Sequence, residues 1–394
     1  PSSPYYYPGI IVAGSWSGEL ANGGESIVLN APGGTELYRV AYSDGGSWPE
    51  RADGDGSSAE LIDPLALSSP RSEFLKSGDH WRSSCQLHGS PGRAGDCLEA
   101  LVINEVLAHS DAGAALDWVE LVNTGDTTAV SAGLFLSDDY AQLQKYALSN
   151  AIPGGAFRVL DENVLGFAFS ELGDDVILTR VSTNGAVTFV DAVDFGPSAR
   201  DVSFGLHTRS DGETDFTAQR VQTPGAENAY PAVGPLVFRT VLYHPTNGIE
   251  YVELMNASDV PVDISTWRLR SAVDFSFPSA TELPAWGRIV VCSTNAPAFR
   301  AAFAVAPSIQ VLGPWSGNLN NAGESLRLRR PGDMEPDGTF PYILVDKVDY
   351  RPELPWPPAA DGTGLPLKRI AAYVYGNDPA SWQAGSINPA PNEH

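Results

Sequence analysis

Carboxylates are the side chains in this sequence best placed to do chemistry. Asp53-Gly54-Asp55-Gly56 and Asp361-Gly362 fall in turn-like stretches, and Asp138-Asp139 and Asp174-Asp175 are adjacent pairs. Calcium needs several converging oxygen ligands, which Asp/Gly turns supply. Asp53, Asp55, Asp138, Asp139 and Asp361 are therefore the candidate ligands, and calcium is the one cofactor the sequence suggests. Asp-Gly is also an ordinary turn dipeptide. No segment carries the spaced Asp-x-Asp-x-Asp-Gly loop with a distant Glu.

Other reactive types do not form a catalytic constellation. His109 and His244 both follow a Val-Leu-x triplet, a position that suits a hydrogen-bonding structural residue at a strand end. The stretch Gly-Ser-Trp-Ser-Gly puts Trp16 where a hydrolase would place its nucleophile. No Gly-rich phosphate loop precedes a helix, and no His-Glu-x-x-His occurs. The chain is expected not to be an enzyme, with no catalytic residue to name. Cys85 and Cys97 bracket the Gly/Pro-rich segment QLHGSPGRAGD. In an exported protein they would form a local disulfide contributing about 3 kcal/mol. No second Cys/His pair lies near them to complete a zinc site. Cys292, in the strand-like RIVVCST, is expected to be a buried thiol. Tyr5, Tyr6 and Tyr7 form an aromatic run suited to an interface. Trp16, Trp48, Trp315 and Trp356 recur in matching contexts and are expected in the core. Asn256-Ala257-Ser258 is a formal glycosylation sequon.

The elements that would position these residues are strands. In SLRLRR, Leu326 and Leu328 alternate with Arg327 and Arg329. In DWVELVN, Val119 and Leu121 alternate with Trp118 and Glu120, and YVELMN repeats this with Val252 and Leu254. A period of two means strands with one face buried. Turns such as Asn22-Gly23-Gly24 and Asp211-Gly212 separate them. One short helix is expected over NAPAFRAAFA, residues 295–304.

The sequence also repeats itself. GSWSGELANGGESIVL (14–29) parallels GPWSGNLNNAGESLRL (313–328). INEVLAHSDAGAALDWVELVN (103–123) parallels FRTVLYHPTNGIEYVELMN (238–256), and VDAVDF (190–195) parallels VDKVDY (345–350). The order is kept throughout, as in tandem domains. Three units are predicted: 1–96, holding only a back half; 98–230; and 234–394. The joints are Pro/Gly-rich.

The Trp/Tyr-Val-Glu-Leu-x-Asn block, its downstream Gly-x-x-Leu block and the Val-Asp-x-Val-Asp segment resemble the lamin tail domain of bacterial secreted and surface proteins. The resemblance covers nearly the whole chain, and residues 6–95 resemble only the second half of such a domain. It implies an all-β fold of tandem immunoglobulin-like β-sandwiches without a catalytic site, serving as structural or interaction modules. No heptad coiled coil accompanies it, unlike the animal lamins.

The chain has 394 residues and a formal net charge of −24. Such acidity repels phosphate backbones and anionic membrane surfaces, so nucleic acid is excluded as a partner. No apolar run is long enough to span a bilayer. The chain begins with Pro, as a processed or truncated form would. The expected role is an extracellular or cell-surface structural protein, self-associating or joined to other surface proteins. A filament or surface layer built by strand donation is one form of it. The alternative is an accessory module that binds a glycan or a protein for a larger secreted chain.

Overall fold

The structure, a computed structural model, describes residues 14–45, 47–63, 74–91, 97, 99–110 and 116–385. The run of Tyr5–Tyr7 lies outside them. The fold is all-β, as expected. Four strands come first: β1 (Glu25–Asn30), β2 (Glu36–Tyr42), β3 (Ala59–Leu61) and β4 (Trp81–Ser83). Next come β5 (Leu101–Leu107), β6 (Trp118–Asn123), β7 (Leu134–Ser137), β8 (Tyr146–Ala147) and β9 (Phe157–Asp161). A single helical turn, α1 (Glu162–Leu165), leads to β10 (Asp174–Val181), β11 (Val187–Phe195), β12 (Phe204–Thr208) and β13 (Thr214–Ala218). The remainder opens with β14 (Leu236–Leu242), β15 (Tyr251–Asn256), β16 (Val262–Asp263), β17 (Arg268–Ser271), β18 (Val273–Ser276), β19 (Glu282–Leu283) and β20 (Arg288–Cys292). It ends with α2 (Ala296–Phe303), β21 (Gln310–Leu312), β22 (Ser316–Gly317), β23 (Glu324–Pro331), β24 (Tyr342–Tyr350), β25 (Leu367–Arg369) and β26 (Trp382–Ala384).

The chain falls into two units. One holds Pro1–Ile103, Leu121–Arg158 and Asp175–Val193; the other holds Asn104–Glu120, Val159–Asp174 and Asp194–His394. In the second unit, strands β14–β26 build a sandwich. One sheet runs β21-β20-β15-β14-β25-β26 and the other β22-β18-β17-β23-β24. Phe238, Val252, Leu254 and Ile289 from the first meet Leu269, Leu326, Leu328 and Val348 from the second in one buried cluster. Excluding those side chains from water drives the two sheets together.

The expectation of one buried face per strand fails at β15, where all six residues are buried. Val252 and Leu254 face the inter-sheet core. Tyr251 packs on the other face against Phe299 and Phe303 of α2, each at 5.3 Å between ring centroids. The helix covers a sheet face that water would otherwise reach. It starts where the sequence placed it, because the Asn295 side chain accepts from the Ala298 amide. Cys292 is a buried free thiol beneath it.

The strands of residues 101–218 pair in the order β13-β12-β5-β6-β9 and β11-β10-β7-β8. This matches β26-β25-β14-β15-β20 and β24-β23-β17-β18 strand for strand. In each set the earlier strands form a front half and the later ones a back half. The first four strands repeat only the later pairings: β1 with β2, as β23 with β24, and β3 with β4, as β25 with β26. In the first unit, residues 85–87 lie along β11, where Phe189 donates to the Cys85 carbonyl at 2.6 Å and Leu87 to that of Val187 at 3.1 Å.

Candidate docking face

The β1–β2 hairpin has the same local construction as β23–β24. Glu25 lies opposite Tyr42 and Ile27 opposite Val40, as Glu324 lies opposite Tyr350 and Leu326 opposite Val348. Both hairpins carry a bulge at the same place, after Leu29 and after Leu328. Tyr42 donates its hydroxyl to the Ala21 carbonyl at 2.8 Å, and Tyr350 donates to that of Asn320 at 2.9 Å. The entry turn explains the glycine each hairpin keeps. Gly24 and Gly323 sit at φ +98° and +104°, and a Cβ there would lie 2.5 and 2.8 Å from the carbonyl oxygens of Tyr42 and Tyr350. A side chain fits neither that dihedral nor that space.

What differs is what covers the hairpins. Leu326 and Leu328 are fully buried, but their counterparts Ile27 and Leu29 are 47% and 46% exposed. Leu319 is 3% exposed and Leu20 53%; Trp315 is 6% and Trp16 76%. The expectation that Trp16 packs in a core is therefore corrected, whereas Trp315 and Trp356 are buried. Among the described residues no second sheet is paired to this hairpin. In the complete sandwich the free edge of β23 is paired by β17, with Leu269 opposite Leu328. Among the described residues β1 pairs with β2 alone, and β3 with β4 alone. Burying each such side chain contributes about 1.5–3 kcal/mol, so this is an apolar face and an open strand edge held ready in native geometry.

Polar residues act as fasteners. Asp191 accepts from the Ile103 amide and Asp346 from the Phe238 amide, both at 2.7 Å, so each back half grips a front-half backbone at the same point. Asp346 also accepts from Arg369 at 2.6 Å. Burial pushes both carboxyls upward. The hairpin register puts Tyr38 of β2 where Asp346 stands in β24, and the β3–β4 register puts Leu61 where Arg369 stands. The first four strands thus lack the buried ion pair. Asn256 donates to the carbonyls of Val260, Leu283 and Pro284 at 2.7, 3.2 and 2.9 Å and accepts from the Ser258 amide and hydroxyl. Asn123 holds the matching loop, donating to Thr127 and Ile152. The sequon asparagine is thus fully buried.

A further cluster lies in the second unit, where β13 meets β24 and the chain between β25 and β26. Asp215 accepts from Lys347 at 3.0 Å, from the Tyr375 hydroxyl at 3.0 Å and from Asn377 at 2.8 Å. Burial lowers the affinity of Lys347 for its proton, but Asp349 and Asp215 outweigh this and raise it overall. Burial pushes Asp349 up, yet Lys347, 3.3 Å away, brings it below the ordinary carboxylate value. Sequence reasoning missed this cluster, since its members are far apart in the chain. The doubled Val-Asp-x-Val-Asp segment was the available signal for Asp191, Asp346 and Asp349.

The sequence-predicted site residues do not converge. Asp138 pairs with Lys145, and Asp139 accepts from the Ala141 amide and Gln142 side chain, both at 2.8 Å, within its own turn. Asp361 pairs with His244 at 2.5 Å, and His109 with Glu171 at 2.9 Å. Asp53 and Asp55 flank Gly54 after a short helical turn; burial, then the charge of Asp53, pushes the Asp55 carboxyl upward. Among the described residues, no three His, Cys, Asp or Glu side chains are grouped to hold a metal. Cys85 and Cys97 are joined as a disulfide.

No curated protein matches the chain. A crystal structure of a DUF4876 family protein from Bacteroides thetaiotaomicron VPI-5482 is similar at 10% identity and a TM-score of 0.27, over 71% of this chain and 88% of that one. Residues 230–350 match the family model of the Lamin Tail Domain. That span runs from just before β14 to the end of β24, so the described sandwich extends past it through β25 and β26. Over residues 230–350, on an all-β sandwich, the chain is thus similar to the lamin tail domain.

Proposed function

We propose that this is a non-catalytic, extracellular structural protein made of lamin-tail-like β-sandwiches, which assembles through the incomplete sandwich at its start by accepting donated strands. The carrying observation is the contrast between Ile27 and Leu29, exposed, and Leu326 and Leu328, buried, on hairpins of one register. A preformed hairpin with an unpaired edge is what strand addition uses. Supporting it, the buried acids and amides fasten strand to strand: Asn104 donates to Glu120 at 2.7 Å, and Ser203 to Glu105 at 2.5 Å. The Cys85–Cys97 bond fits an oxidising compartment. The lamin tail fold is a non-catalytic one, and no helix among the described residues is long and apolar enough to cross a membrane.

Fractionation of producing cells, with electron microscopy and thiol labelling of the native material, tests this reading. The expected result is an extracytoplasmic assembly in which Cys85 and Cys97 resist alkylation. A cytoplasmic monomer with both thiols free would overturn it.

A further inference from the structure

Resting on that reading, the structure also points to what the open face takes. We infer that its occupant is the front half of a lamin-tail-like unit, a segment with the strand pattern of β14–β21, supplied from outside residues 1–394. Three observations carry this. First, the complete sandwich shows what covers such a hairpin: β17 on the edge of β23, β14 on the edge of β25, and the core cluster beneath. Second, the halves do not balance. The described residues contain two front halves, β5–β9 and β14–β21, and three back halves, which begin at β1, β10 and β23. Both front halves are already paired to their own back halves, β7 to β10 and β12 to β5, β17 to β23 and β14 to β25.

A second copy of residues 1–394 therefore brings two occupied front halves and another open back half, so exchange between such copies leaves the same deficit. Third, residues 1–394 hold no unassigned stretch of that length: one front half runs from Leu236 to Leu312, and the longest stretch outside the described residues is 1–13. The joint is also marked. Leu312-Gly313-Pro314-Trp315 leads from front to back in the complete sandwich, and Ala13-Gly14-Ser15-Trp16 aligns with it.

The acceptor differs from its complete counterpart in one respect that bears on specificity. Tyr38 and Leu61 stand where Asp346 and Arg369 stand. The occupant is gripped through apolar contact and strand pairing, not through the carboxylate that Phe238 reaches.

The test grafts residues 236–312 ahead of Gly14 in the full chain, reproducing the natural joint, and compares it with residues 1–394 by amide exchange. Exchange of residues 26–30 is expected to slow at least about 100-fold on grafting, and Trp16 emission to shift to shorter wavelength. The Ile27→Asp, Leu29→Asp variant of the graft should lose both effects while β23 and β24 stay protected. Unchanged exchange in the graft would overturn the inference. So would protection of residues 26–30 in the ungrafted chain that rises with its concentration, since a second copy would then be the occupant. Either failure leaves the location and redox state of the native material, which test the proposed function, untouched.

Discussion

Asn256 holds its loop with three donated and two accepted hydrogen bonds. Removing the amide leaves buried carbonyls without donors, at about 1–3 kcal/mol for each group left unsatisfied. Asn256→Ala should therefore destabilise the sandwich by roughly 2–4 kcal/mol, read as a fall in denaturant midpoint; a change within error would remove this role. The paired hairpins make a sharper comparison. Leu326→Asp puts a carboxylate into the closed core and should cost more than about 4 kcal/mol. Ile27→Asp, at the matching position on the open face, should fall within about 0.5 kcal/mol. Equal losses in thermal unfolding would mean that Ile27 is covered in the isolated chain. The sequence made this pair visible, because the two Gly-Glu-Ser segments align without gaps. It did not show that one copy lies bare, since exposure depends on strands that are elsewhere.

Strands β13 and β24 meet at a charged fastening whose pH response follows from its members. Lys347 holds its proton more tightly when folded, so its contribution is complete below the unfolded lysine value of about 10.4 and is lost as pH rises through its folded value. Asp349 is held below its ordinary value, so its contribution is complete above about 3.9 and is lost as pH falls through the folded value. The contribution of this fastening to the thermal midpoint, read as the difference between the wild type and Lys347→Met, should form a plateau between those limits and fall on both sides. Lys347→Met should thus lower the midpoint most within the plateau; a difference that stays level across both limits would put the titration elsewhere. The period-two pattern located β23 and β15, because one face of each strand lines the inter-sheet core. It misjudged the second face of β15, which α2 covers, and had no access to Asp215, Tyr375 and Asn377, which only the tertiary fold brings together. The calcium expectation rests on Asp-Gly turns and acidic pairs; in the fold Asp138 pairs with Lys145, Asp139 accepts from the Ala141 amide and Asp361 pairs with His244.

At the scale of the molecule, one covalent bond guards an edge. Residues 85–87 lie on β11, and the Cys85–Cys97 disulfide closes the loop that follows. Replacing both cysteines with serine should lower stability by about 3 kcal/mol and speed amide exchange at Leu87 and Phe189 ahead of the rest of the first unit. Uniform exchange across that unit would show that the bond does not act locally. Among the described residues the other edge of β1 has no such guard, and an open strand edge beside an apolar face is an aggregation hazard until it is covered.

The burial of Asn256 reaches beyond stability. A sugar-transferring enzyme must reach the side-chain nitrogen, and in the folded chain that nitrogen is engaged by three carbonyls. A glycan at Asn256 can be added only before Val260, Leu283 and Pro284 close over the side-chain nitrogen, and its bulk then keeps them from closing. Made in a eukaryotic secretory host, the protein would record its own history: the mass of an attached sugar would mark each molecule that was modified before it could fold.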